Sequence, residues 1–227
     1  MASEAWAGVA AGEAAEEHGS GREEHRAARR LAVLRTAARL FNARGYDRTK
    51  LEDIAAELNV SKRTLYYYVR NKEDILFQIN KAAYESLEPA LLACADPGLS
   101  GLERIRIFLT AYACLLSEEF GASIVLNRHH VLDPDSQRVL REDWRRLDML
   151  VRDLIRAGIA DGSVAPCDPK HVSAALYGAF NWLPYWRQPD SRPSYEEIAD
   201  DYLRLFFQGL APRMGQPTAG ADGGAVD

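Results

Sequence analysis

Along most of this chain the apolar residues recur at intervals of three and four, the spacing that lines one face of an α-helix, and strict alternation of the strand kind is scarcely found. Leu31, Leu34, Ala38 and Phe41 form a first stripe, after which Gly45 is placed to stop the helix. Leu51, Ile54, Ala55 and Leu58 form a second, shorter stripe, for which Thr49 is the expected N-cap. Asn59, Val60 and Ser61 interrupt the pattern before Leu65 and Val69, one turn apart, begin a third. Three short helices in close succession are therefore predicted at the front.

Longer helices are predicted behind them. Ile75, Leu76, Ile79, Ala83 and Leu87 share a face from Asn71 up to Pro89. Ser100 with Glu103 reads as a capping box opening a helix that carries Leu102, Ile105, Leu109, Tyr112 and Leu116. A break around Gly121 precedes a short helical stretch from Ile124 that ends before Pro134. Val139, Leu140, Trp144, Leu147, Leu150, Val151 and Leu154 then mark a long amphipathic helix up to Gly158. Asp168-Pro169 supplies an N-cap and a first-turn proline, and Ser194 with Glu197 a further capping box. The helices they open carry Val172, Ala175, Leu176, Ala179, Phe180 and Leu183, then Ile198, Tyr202, Leu205, Phe206 and Leu210. About nine helices and no strand make the expected fold class all-α.

Composition changes the picture at the two ends. Residues 1–26 are poor in aliphatic side chains and hold Gly8, Gly12, Gly19 and Gly21, so they are expected to be a flexible tail that buries too little surface to offset its ordering entropy. Residues 213–227 have the same character. No apolar run reaches the roughly 20 residues of a membrane span, and the start lacks the basic-then-apolar order of an export signal. A cytoplasmic protein without membrane association is expected. Cys94, Cys114 and Cys167 are odd in number and form no C-x-x-C pair, which gives neither a disulfide framework nor a zinc knuckle.

Charge is unevenly placed. The net charge is −5, yet Arg22 to Lys81 holds 14 Lys and Arg against 8 Asp and Glu, which leaves −11 for the remainder. The front of the chain is thus the part suited to approach phosphate. There, Thr49 to Lys72 reads TKLEDIAAELNVSKRTLYYYVRNK, two short helices about a tight turn, as a helix-turn-helix requires. Asn59 sits where a left-handed residue is needed, and Ser61 can cap the second helix. With Leu65 and Val69 turned inward, Lys62, Arg63, Thr64, Tyr67 and Tyr68 are left projecting outward or to the sides.

These residues resemble the TetR family of transcriptional regulators. The likeness covers Phe41-x-x-x-Gly45-Tyr46, Thr49, Asp53-Ile54-Ala55, Val60-Ser61, Thr64-Leu65-Tyr66 and Asn71-Lys72-Glu73. Two departures are Asn59, where the family usually has glycine, and Lys50, where a second threonine is common. The resemblance implies a three-helix DNA-binding domain at 27–72 and a ligand-binding and dimerisation domain of about six helices at 73–212. It also implies that Thr49, Lys50, Tyr66 and Lys72 meet phosphate, while Lys62, Arg63, Thr64 and Tyr67 face the major groove. Physical chemistry agrees, because helix N-termini and cations attract phosphate and Arg and Lys reach guanine O6 and N7.

The stretch from Gly178 to Trp186 and Ser194 to Ala199 looks like a subgroup whose members sense acyl-coenzyme A thioesters or related hydrophobic acids. The expected partners are therefore palindromic operator DNA, a second copy of the chain, and a small hydrophobic effector of that class. Candidate ligand contacts are Tyr112, Asn127, Arg128, His129, His130, Trp144, Asn181 and Trp182, aromatic and polar groups of the kind that line pockets. Phe180, Tyr202 and Phe206 are candidates for the dimer interface, on the last two long helices. His129-His130 with Asp133 and Asp135 lacks the H-x-x-x-H spacing that would turn two ligands to one side, so no metal or other cofactor is expected. An enzyme fails for want of a G-x-S-x-G, Walker or G-x-G-x-x-G motif, or of a nucleophile with its base. A transcriptional repressor released by its ligand is the expected function, with an activator or a ligand-independent DNA-binding protein of the same fold as the alternative.

Overall fold

The structure, a computed structural model, describes residues 19–127, 129–186 and 192–209. Most of the expected front tail and all of the expected end tail, 213–227, lie outside the described residues, as does Arg128. The described part is helical throughout, with no strand.

Helix α1, Gly19–Arg44, begins within the stretch expected to be tail. It ends on Gly45 at φ 86°, whose N–H closes on the Phe41 carbonyl at 2.8 Å. Helices α2, Leu51–Glu57, and α3, Lys62–Leu65, follow. Asn59 between them takes φ 56°, the left-handed backbone that its short amide side chain tolerates. Thr49 is not the cap of α2. Lys50 holds that position, and its N–H is taken by the Asp53 carboxylate at 2.8 Å.

Helix α4, Lys72–Glu85, is capped by Asn71, whose side chain accepts from the Asp74 N–H at 2.7 Å. The helix expected to run on to Pro89 ends four residues earlier, and Pro89 instead sits in the first turn of α5, Glu88–Ala93, where its missing N–H costs nothing. Helices α6, Gly101–Ser117, and α7, Glu119–Leu126, meet at 89°. A turn of 3-10 helix, His129–Val131, leads to the long α8, Pro134–Asp161. The chain continues through α9, Pro169–Asn181, the short α10, Leu183–Trp186, and α11, Tyr195–Gln208. No single helix among the described residues is long and apolar enough to cross a membrane.

Two cores form. The front core joins Val33, Leu34 and Phe41 of α1, Ile54 and Leu58, Leu65 and Val69, and then Ile75, Leu76 and Ile79 of α4, closed by Leu132 just before α8 and Leu140 within it. The body core starts further along α4, at Ala83, and gathers Phe108, Tyr112 and Leu116 of α6, Leu147, Val151 and Ile155 of α8, Leu176 and Phe180 of α9, and Ile198 and Leu203 of α11. Helix α4 therefore belongs to both, and Phe120 and Trp144 pack against both.

The crossing of α6 and α8 depends on two glycines. A Cβ on Gly101 would overlap the backbone N and Cα of Gly158, so the two helices touch through their main chains. Gly101→Ala is expected to force them apart at a cost of about 1–3 kcal/mol. Thermal unfolding should show it as a fall in melting temperature of roughly 2–4 °C per kcal/mol for a chain of this size.

Candidate DNA-binding face and effector cavity

Local chemistry fixes the face of α3. Ser61 caps it by accepting from the Thr64 N–H at 3.1 Å, and the Ser61 and Thr64 hydroxyls lie 2.8 Å apart. Leu65 and Val69 are buried, which turns Lys62, Arg63, Tyr66 and Tyr67 to the surface and leaves Thr64 half-buried. Tyr67 is 68% exposed, a large cost in apolar surface for a side chain with no burial role. Lys62 pairs with Glu52 of α2, which holds that carboxyl below its usual range and the ammonium above. An exposed pair of this kind adds little to stability, because solvent screens the two charges.

Lys72, at the first turn of α4, is held inward. Its ammonium donates to the Tyr46 carbonyl at 2.8 Å and the Thr49 carbonyl at 3.2 Å, and lies 4.1 Å from the centre of the Tyr46 ring. Burial, with Glu73 and Asp47 nearby, pushes the Tyr46 hydroxyl up to about 12. The α1–α2 turn is thus clamped to α4 by one cation.

The body holds a half-open cavity of about 510 Å3, within the usual range for small-molecule sites. Helix α8 supplies Trp144, Leu147 and Asp148, and α9 supplies Ala174, Tyr177 and Asn181, with Tyr112, Ile124 and Val125 completing the wall. The Tyr112 hydroxyl donates to Asn181 Oδ1 at 2.6 Å, and the Tyr112 and Tyr177 rings meet edge to face at 5.3 Å. Burial raises both tyrosine hydroxyls well above their ordinary range, so both stay neutral. Asp148 accepts from the Ser173 hydroxyl at 2.7 Å and is paired with Arg152.

The family model for bacterial regulatory proteins of the tetR family matches residues 33–79, and that for a tetracyclin repressor-like C-terminal domain matches residues 98–210. A transcriptional regulator of the TetR/AcrR family from Thermobifida fusca YX-ER1 is 31% identical at a TM-score of 0.62, covering 81% of this chain and 99% of its own. The chain belongs to the TetR family. Another solved structure, AibR in complex with isovaleryl coenzyme A and operator DNA, is 27% identical at a TM-score of 0.70 and covers 79% of this chain and 98% of its own. Among curated relatives, the HTH-type transcriptional regulator HbdR of Aromatoleum sp. (strain CIB) is 27% identical over 191 residues, 83% of each chain. This TetR-family member is accordingly a DNA-binding transcriptional regulator and not an enzyme.

Within that frame several residues singled out from the sequence have other places. Thr49 is fully buried, and its hydroxyl donates to the carbonyls of Gly45 at 3.0 Å and Leu40 at 3.3 Å, so its side chain braces the turn and is not free for phosphate. Asn127 is also not a cavity residue. Its amide donates to Asn42 Oδ1 of α1 at 3.2 Å and to Ser123, tying α7 to the front module. His130 is exposed, and Trp182 is 60% exposed and stacks on Tyr185 at 5.0 Å, so neither lines the cavity. Phe180 cannot serve a dimer interface, being fully buried in the body core with Tyr202 edge-on at 5.6 Å. Phe206 is exposed while its neighbour Phe207 packs on the core, as two adjacent helical positions require.

Sequence reasoning missed Tyr177, Asp148 and Ala174. The signal was present: Ala174, Tyr177 and Asn181 fall at i, i+3 and i+7 on α9, and Trp144, Leu147 and Asp148 at i, i+3 and i+4 on α8. It also missed Arg26, whose guanidinium lies 5.5 Å from the centre of the exposed Tyr67 ring. Thr49→Val, which keeps the shape and deletes the buried hydroxyl, is expected to cost about 1–2 kcal/mol in denaturant unfolding, the two carbonyls losing their donor. Operator sequence preference should be unchanged in a mobility-shift panel.

Proposed function

We propose that this chain is a transcriptional repressor that binds a palindromic operator as a homodimer and is released by a small hydrophobic effector, of the acyl-coenzyme A thioester class, bound in the body cavity. Arg63, Thr64 and Tyr67 read base edges, with Lys62 exchanging its partner Glu52 for DNA, and Lys50 and Tyr66 take phosphate on either side. Lys72 acts chiefly through the turn it holds. The AibR complex with isovaleryl coenzyme A and operator DNA, at 27% identity, supports the effector class. The exposed aromatic residues Trp182, Tyr185 and Trp186 and the outer face of α11 with Leu205 and Phe206 support a self-complementary interface.

The observation that carries release is the double attachment of α4. Its first turn grips the front module through Lys72, and near its last turn Tyr84 meets the cavity residue Trp144 edge to face at 6.2 Å. Beside that contact Lys81 donates to the buried carboxylate of Asp143 at 2.8 Å, on the residue preceding Trp144. A ligand that shifts Trp144 therefore moves α4 at two adjacent points and tilts the recognition helices of the dimer. Both half-sites must be met together, so a small change in their separation forfeits most of the bivalent gain.

Footprinting should reveal two related half-sites with centres roughly 34–36 Å apart or a multiple of it. A single asymmetric site occupied by a monomer would overturn the dimer. Coupling of this type is typically about 1–3 kcal/mol, or about 5- to 150-fold, and is reciprocal. Calorimetric titration of isovaleryl-coenzyme A and longer acyl-coenzyme A thioesters into free and operator-bound protein should show weaker binding to the complex by the factor by which they weaken operator binding. Equal affinity for the two forms refutes release by this class.

A further inference from the structure

The polar groups of the cavity carry more than its size does. Among its lining residues two buried polar atoms have no hydrogen-bond partner within the protein: the Trp144 indole Nε1 and the Tyr177 hydroxyl. The indole N–H can only donate. Tyr177 is held neutral by burial, and its nearest electrostatic neighbours, Tyr112 and Asp148, both resist a negative charge beside it. The Tyr112 hydroxyl, the Asn181 carbonyl oxygen and Asp148 are already engaged. Tyr112 donates to Asn181 Oδ1, and Asp148 is satisfied by Ser173 and Arg152. Among the described lining residues there is no lysine, arginine or histidine, and Arg152, which pairs with the lining residue Asp148, is committed to it.

A half-open, largely apolar space with unpartnered donors in its wall, no cation among its described lining residues and a carboxylate beside them suits an uncharged acceptor. A carboxylate ion entering it would leave water for a site that offers no compensating positive charge. Resting on the effector reading above, we infer that the cavity binds a neutral carbonyl compound, its acceptor oxygen taken by Trp144 Nε1 and Tyr177 Oη, and discriminates against the corresponding free carboxylate. For a thioester this places the acyl chain and thioester carbonyl inside, with the charged nucleotide outside the lining described. Trp144 then recognises the ligand and also meets Tyr84 of α4, so the group that senses the carbonyl is the one that touches the transmitting helix.

The test uses matched probes on the full chain: S-butanoyl-, S-hexanoyl- and S-octanoyl-N-acetylcysteamine, which carry the acyl group and thioester without a nucleotide, beside butanoate, hexanoate and octanoate. Calorimetry should detect thioester binding, with the matching carboxylate weaker by about a hundredfold or more. Tyr177→Phe and Trp144→Phe should each weaken the thioester about three- to tenfold. Tyr177→Phe should meanwhile leave the ligand-free melting temperature unchanged or higher, since it removes a buried hydroxyl that has no partner; a purely structural tyrosine would lower it. Equal binding of carboxylate and thioester, or full thioester affinity in both variants, overturns this inference and leaves effector release standing. A thioester that binds as described without displacing operator supports this inference and overturns release. If none of the probes binds, the acyl class is wrong for this cavity and both fall.

Discussion

Everything in this structure hangs on α4 being packed into two cores at once. Ile75, Leu76 and Ile79 are fully buried with the DNA-binding helices, and Ala83 is fully buried with the body. A helix is stiff over such a length, and close-packed side chains do not deform continuously, so the helix cannot re-register against one core without disturbing the other. At the level where the first core gives way to the second stands Asn80, fully buried, its amide donating to the Leu76 carbonyl at 2.8 Å.

The seam between the cores is polar as well as narrow. Lys81 and Asp143 join α4 to α8 there as an ion pair in which the carboxylate is almost wholly buried, and Asn127 donates to Asn42 of α1 as an amide pair. Buried pairs of this kind add little net stability, because desolvation offsets most of the attraction, but losing one partner is costly. They therefore specify how the two cores meet more than how strongly. Trp144 sits at this seam, against both cores and in the cavity wall, which in the proposed release mechanism makes it the point that links ligand occupancy to helix position.

The front module shows the same economy. Lys72 and Thr49, read from the sequence as phosphate contacts, spend their polar groups on the carbonyls of the turn between α1 and α2. What they give the DNA-binding face is a fixed turn, and the exposed set of Lys50, Arg63, Tyr66 and Tyr67 depends on that turn for its position.

The sequence by itself determined the helical class, most helix ends and the inward pair Leu65 and Val69, because periodicity, capping residues and left-handed backbone are local properties. Ser61, Ser100 and Ser194 cap where a residue three positions on completes the motif, and Asn59 turns where its side chain permits. Only the tertiary structure decided which half-apolar residues face a cavity, the core or the surface. Phe180 and Phe206 share a residue type and a plausible role, yet one lies in the body core and the other outside, and that difference is set by which helices pack around them. Asn127 and Asn181 are likewise indistinguishable in sequence. One is bound to α1 and the other to Tyr112, since hydrogen-bond partners of a buried amide come from whatever element the fold lays against it, at separations of 85 and 69 residues here.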